Sequence, residues 1–179
     1  MTPLSALVTA IALLLFGTTP AQKPSRPDVH KIIAAPEDED VVLLAHASGS
    51  QIYVCQAGTD RKLSWTLKGP EAELSDDGGK NIGRHFAGTS GPTWRLDEGS
   101  EVIGKKDTSE DAPDAGAIPW LRLKATGHAG NGVFAKVTTI QRIHTKGGQP
   151  PATGCDDSHR GAEVKSPYSA DYYFYAPAH

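Results

Sequence analysis

From Val41 onward the chain is cut into short apolar or alternating runs by Gly, Pro, Asp and Asn. That punctuation restricts it to many short strands and few helices, because a strand needs only a handful of residues whose side chains alternate between two faces. Ten runs qualify: Val41–Ala47, Gln51–Ala57, Leu63–Leu67, Ala72–Leu74, Asn81–Phe86, Thr93–Leu96, Glu101–Lys105, Trp120–Ala125, Val133–Ile143 and Tyr168–Tyr175. In the third, Leu63, Trp65 and Leu67 are expected on an apolar inner face, with Ser64, Thr66 and Lys68 outward. Asp76-Asp77-Gly78-Gly79, Asp97-Glu98-Gly99 and Lys146-Gly147-Gly148 supply turn chemistry beside such runs. Thr108–Ala117, rich in Asp, Pro, Ala and Gly, is expected as an exposed loop. The fold class is therefore all-β: a single-domain antiparallel sandwich or barrel of about ten short strands, two architectures that periodicity does not separate.

Residues 1–21 read differently. They carry no charged side chain, run apolar from Ala6 to Phe16 and end on Thr19-Pro20-Ala21, the pattern of a signal peptide cleaved after Ala21. A membrane anchor or a buried helix is the competing reading, but the apolar stretch is too short to cross a bilayer. The mature chain is therefore expected to be secreted or periplasmic, without a membrane span. Residues 22–40 hold Pro24, Pro27, Pro36 and the acidic run Glu37-Asp38-Glu39-Asp40, and are expected as a flexible N-terminal linker. Residues 41–179 remain as one β domain, expected to be monomeric. In an oxidising compartment Cys55 and Cys155 are expected to form a disulfide, with two buried free thiols as the alternative. Closing a loop of about 100 residues would stabilise the fold by roughly 4–5 kcal/mol in the chain-entropy view. The formal net charge of -3 is too weak to imply a nucleic-acid partner.

The run Trp120–Ala125 is joined to Val133–Ile143 by Thr126-Gly127-His128-Ala129-Gly130-Asn131-Gly132, which predicts a hairpin. Pairing Ala125 with Val133 would set Leu123 against Ala135 and Leu121 against Val137 as one apolar face. The opposite face would then pair Arg122 with Lys136, Lys124 with Phe134 and Trp120 with Thr138. Two cations directly across from each other call for an acid nearby, such as Asp171, or for an anionic ligand.

Catalytic signatures are scarce. The sequence has no HExxH, Walker loop or GxGxxG, and Gly88-Thr89-Ser90-Gly91-Pro92 puts Pro where a nucleophile elbow needs Gly. No two of the seven histidines lie at i,i+2 or i,i+4 spacing, so no metal and no cofactor are expected. His85 stands out because Gly83-Arg84-His85-Phe86-Ala87-Gly88 ends in a glycine-rich turn before Trp94, where an imidazole could act as a base or satisfy backbone groups. Gly154-Cys155-Asp156-Asp157-Ser158-His159 gathers acids, a hydroxyl and an imidazole, all of them also common turn formers. On the last run Tyr168, Ala170, Tyr172 and Phe174 share one face and Ser169, Asp171, Tyr173 and Tyr175 the other, as for a strand covered on both sides. Trp94, beside Pro92 and Arg95, is expected to be the tryptophan most open to solvent.

An ordered set of motifs resembles the exported family known as domain of unknown function 3455. They include Gln51-Ile52-Tyr53-Val54-Cys55, Pro70-Glu71-Ala72-Glu73-Leu74, Gly83-Arg84-His85-Phe86-Ala87-Gly88, Pro92-Thr93-Trp94, Gly99-Ser100-Glu101-Val102-Ile103-Gly104-Lys105, Ala117-Ile118-Pro119-Trp120-Leu121, Gly154-Cys155 and Pro167-Tyr168-Ser169-Ala170-Asp171-Tyr172-Tyr173-Phe174-Tyr175. Coverage runs from about Val41 to Tyr175, with one departure, the Thr89-Ser90-Gly91 insertion between Gly88 and Pro92. The resemblance implies one exported domain whose cysteines belong to the pattern, and it implies no activity.

The reading that follows is an exported non-catalytic β-domain that binds a polysaccharide, lipid or anionic ligand through Trp94, Trp120, Arg122, Lys124 and Lys136. The competing class is a hydrolase or isomerase using His85 with a distant carboxylate, Asp171 or Asp157. A purely mechanical surface or matrix protein is a third.

Overall fold

The computed structural model describes residues 24–178, so the expected leader at 1–21 lies outside the described residues. Eight antiparallel strands close into one barrel in chain order: β1 (Glu39–Ala57), β2 (Leu63–Ser75), β3 (Asn81–Gly88), β4 (Gly91–Leu96), β5 (Glu101–Glu110), β6 (Trp120–Ala129), β7 (Thr139–Gly147) and β8 (Glu163–Pro177), with β8 pairing back onto β1. No helix among the described residues is long and apolar enough to cross a membrane.

The ten expected strands become eight because two apparent interruptions are strand interior. Ser48-Gly49-Ser50 continues β1, and Lys68-Gly69-Pro70 continues β2. Gly49 is not a turn: a Cβ there would lie 2.2 Å from the Glu71 carbonyl oxygen, so glycine permits two tightly coiled strands to approach. A bulge at Ile52/Tyr53 shifts the β1–β2 register, and beyond it the two strands run as a ribbon. There the expected inner face fails, since Leu67 is 53% exposed. The indole of Trp65 instead donates to the Thr153 carbonyl, and the Cys55–Cys155 disulfide fastens the β7–β8 loop to the same ribbon.

The expected β6–β7 hairpin exists in a different register. Val133–Lys136 forms a 3-10 turn, β7 begins at Thr139, and the pairs are Leu123 with Ile140, Arg122 with Gln141 and Leu121 with Arg142. Gly130 and Gly132 carry φ of 69° and 147°, which reverses the chain before the turn instead of extending it. Phe134 and Val137 then point into the barrel and close one end. Glu98 in the β4–β5 turn holds this plug: its carboxylate accepts from the Val133 amide at 3.2 Å and from the Ser100 hydroxyl, whose oxygen accepts from the Phe134 amide at 3.2 Å.

Inside, Ala45, Ala47 and Ala72 leave room for the large rings of the opposite wall. Trp94 meets Tyr172 and Phe174 edge-on at 5.3 and 6.0 Å between centroids, and Phe134 tilts against Phe174 at 4.5 Å. As expected, Tyr168, Ala170, Tyr172 and Phe174 of β8 line this interior, while Tyr175 is buried on the outer face.

What buries Tyr175 is the segment expected as a flexible linker. Residues 26–38 lie along the outer wall of β5–β8: Ile33 is fully buried, and Arg26 donates to the Ala35, Pro36 and Glu39 carbonyls while covering the Tyr175 ring. Buried Gln141 joins strap and barrel, donating to the Ile33 carbonyl and accepting from the Tyr175 hydroxyl, both at 2.7 Å. A sequence rich in proline and acid thus docks through a few apolar and carbonyl contacts that composition does not register.

Candidate functional site

The end of the barrel opposite the Phe134 plug is where β1, β3, β5 and β7 finish and β2, β4, β6 and β8 begin. A cavity of about 370 Å³ opens there, within the range of small-molecule sites. Its wall is largely apolar, with Leu121, Leu123, Pro92 and the rings of Trp94 and Tyr172. Into it come Gln51 from β1, His85 from β3, Arg142 from β7, and at the rim Lys68 and Lys106.

The β3–β4 hairpin builds the His85–Trp94 pair. Thr89-Ser90, part of the insertion noted above, is its two-residue loop, which sets His85 directly opposite Trp94 in the ladder. The rings stack at 4.2 Å between centroids and 7° between planes. Trp94 is 1% exposed, which corrects the expectation that it would be the most open tryptophan. Its six-membered ring packs over Gly104, where a Cβ would lie 2.9 Å from Cζ3. His85 Nδ1 lies 2.9 Å from the Thr93 carbonyl oxygen, so that nitrogen carries the proton and Nε2 is left as an acceptor. Burial, opposed by the Thr93 bond and aided by the Arg142 charge, pushes the imidazole down to about 3, so it is neutral at physiological pH.

The polar groups of this wall are buried and sparsely satisfied: Trp94 Nε1 and Arg142 Nε have no hydrogen-bond partner among the described residues, while Gln51 and Tyr172 share one buried polar group with Tyr168 and Arg142. Arg142 uses Nη2 to donate to the Pro119 carbonyl at 2.7 Å and forms no ion pair among the described residues. Burial raises the Tyr172 hydroxyl above the usual phenol range, opposed by the Arg142 charge, so it too remains a donor.

The other sequence-singled residues do not converge here. Trp120, Arg122 and Lys124 lie on the outer wall of β6, and Lys136 is in the 3-10 turn at the closed end, apart from them. The acid that offsets Arg122 and Lys124 is Asp107, not Asp171: Arg122 donates Nε and Nη2 to it at 3.0 and 2.8 Å, with Lys124 at 3.4 Å. Arg122 also holds the strap through the Ala34 carbonyl at 2.6 Å, so its guanidinium fastens residues 26–38 to β6.

Nor does the fold join His85 to either proposed carboxylate. His85 faces the lumen, whereas Asp171 on the outer wall of β8 bonds His46 at 2.7 Å and His144 at 2.8 Å. Asp157 pairs with Arg160 in an exposed 3-10 turn, which Asp156 caps by accepting from the Ser158 amide. The His46–Asp171–His144 cluster joins β1, β8 and β7 and was invisible to local spacing. A bulge between Ile143 and Lys146 turns His144 outward in the left-handed region, φ 50°, with Trp120 edge-on to it at 5.5 Å. No group of three or more His, Cys, Asp or Glu among the described residues is arranged to hold a metal ion.

Sequence reasoning missed Gln51 and Arg142 as cavity residues. The available signal was a charged residue in the apolar phase of a strand, Ile140-x-Arg142, hidden because the expected hairpin register put that phase on the wrong face.

No curated protein and no solved structure matches the chain. A family model described as protein of unknown function (DUF3455) matches residues 36–176, from the end of the strap through nearly all of β8. With the match spanning the whole barrel and its disulfide loop, the chain belongs to the DUF3455 family.

Proposed function

We propose that this chain is an exported, non-catalytic β-barrel that takes one small ligand into the open end of its lumen. The observation that carries the reading is a single cavity walled by the almost wholly buried polar side chains Gln51, Trp94 and Tyr172, with the Trp94 indole N–H and Arg142 Nε left without a protein acceptor among the described residues. An unpaired buried donor costs about 1–3 kcal/mol, and a ligand that accepts from it recovers that cost. Eight-stranded barrels have interiors of the size that holds one small ligand. A polysaccharide platform is less favoured, because Trp94 is turned inward, Arg122 and Lys124 are paired with Asp107, and Lys136 lies apart at the closed end.

Export is supported by the apolar leader pattern and by the disulfide, which suits an oxidising compartment such as the periplasm or the exterior. The outer wall carries ion pairs such as Lys165–Glu71 and Arg95–Glu101, which favour water over lipid around the barrel.

The test is a thermal-shift screen of the disulfide-intact chain against sugars, lipids, organic anions and divalent metals, repeated on Leu121→Trp, which fills the mouth. A native-state ligand raises the melting temperature. The expected result is a stabilising small molecule whose shift disappears in Leu121→Trp; stabilisation that survives this change would place the ligand elsewhere and overturn the reading.

A further inference from the structure

Resting on the lumen reading, the geometry points to a narrower ligand class: we infer that the site takes a small aromatic monocarboxylate, its acid group on Arg142 and its ring against Trp94, His85 and Tyr172. The charge of the cavity carries the first half. Its lining holds Arg142, Lys68 and Lys106 and no Asp or Glu. Arg142 is the inner cation; one nitrogen is engaged by a neutral carbonyl, Nε is buried and unpartnered, and no carboxylate of the described residues answers its charge. A guanidinium held in an apolar wall without a counter-ion is unfavourable, and its planar fork matches a carboxylate.

His85 limits the charge to be matched. Held neutral by burial, it adds no second cation, and with Nδ1 committed to Thr93 it offers only a lone pair at Nε2. Lys68 and Lys106 are exposed at the rim, so the interior supplies a single positive charge and favours a monoanion over phosphate or sulfate esters. Beside that charge the Trp94 indole N–H is a donor without a protein acceptor among the described residues, suited to an acceptor oxygen, while His85 Nε2 suits a ring hydroxyl.

The shape of the wall carries the second half. The stacked His85–Trp94 pair and Tyr172, edge-on to both, give the cavity a wall of packed aromatic rings, against which a flat ring lies better than a branched or saturated body. Below it, Trp94, Phe174 and Phe134 pack in series down to the plug, leaving no channel for a long acyl chain.

The experiment measures tryptophan fluorescence and melting temperature of the disulfide-intact chain with 4-hydroxybenzoate, its uncharged amide 4-hydroxybenzamide, and octanoate. The acid is expected to bind at least about tenfold more tightly than the amide, as a charge-assisted pair requires. It should also bind more tightly than octanoate, and Arg142→Met should bring the acid down to the level of the amide. The acid–amide comparison needs no variant, so it stands even if Arg142→Met folds poorly. Equal binding of acid and amide, or stronger binding of octanoate, overturns the inference. If the acid fails while a neutral ligand from the wider screen is blocked by Leu121→Trp, the carboxylate assignment falls and the lumen reading survives. If nothing enters the lumen, both fall.

Discussion

Replacing Gln141 with Leu tests whether the strap is part of the folded body. The side chain is fully buried, donates to the Ile33 carbonyl and accepts from the Tyr175 hydroxyl, each at 2.7 Å. Leucine has nearly the same volume, so no cavity opens, but a buried carbonyl and a buried phenol each lose a partner. At about 1–3 kcal/mol per stranded group the loss is roughly 2–6 kcal/mol, and the added apolar burial returns about 1–2 kcal/mol. The expected net destabilisation is therefore roughly 1–4 kcal/mol, or roughly 3–12 °C in melting temperature for a chain of this size. Tyr175→Phe removes one of the two stranded groups, so the double variant should be less destabilised than the sum of the singles by about 1 kcal/mol or more. Urea unfolding supplies the energies, and hydrogen exchange of the residue 30–35 amides reports the strap directly. A loss below about 0.5 kcal/mol with those amides unchanged would mean that the strap does not depend on Gln141, and the reasoning would fail.

Gly104→Ala should overpack the lumen, because the new methyl meets Trp94 Cζ3 at 2.9 Å and Ile140 Cδ1 at 3.3 Å; a loss of about 1–3 kcal/mol in urea unfolding, with a changed tryptophan emission, is expected. For His46, burial lowers the imidazole but the bonds and charges of Asp171 and Asp77 outweigh it and leave the group raised above 6.5. Its stabilising contribution is thus complete below pH 6.5 and fades as pH rises through the higher folded value, small because the side chain is 39% exposed. Melting temperature followed from pH 5 to 9 should show this fall, and Asp171→Asn should flatten it.

Much of the barrel is written in period two. The β8 alternation placed Tyr168, Ala170, Tyr172 and Phe174 in one interior, and the export pattern made the Cys55–Cys155 bridge the natural pairing. What escaped was anything set by a single residue of register or by distant chain. Val133–Val137 alternates well enough to read as strand, yet the positive φ of Gly132 and the three-residue spacing of Phe134 and Val137 make it a plug. That one misplacement reversed the faces of β7, sent Arg142 outward on paper and drew attention to the outer face of the wall instead of the lumen. Gly49 was read as a break because nothing local tells a turn glycine from one that lets two backbones touch. The His46–Asp171–His144 contact needs the closure of β1 on β8, which no window of sequence contains.

That closure also governs the order in which the molecule can be made. The β1–β8 seam joins residues more than a hundred positions apart along fifteen paired sites, from Glu39 with Pro177 to Val54 with Glu163. Until Glu163–Pro177 has been synthesised, β1 lacks one of its two neighbours and the lumen lacks the rings of Tyr168, Tyr172 and Phe174. Contacts of such high contact order form late and slowly. A nascent chain held open in this way stays threadable, which is what the proposed export would require.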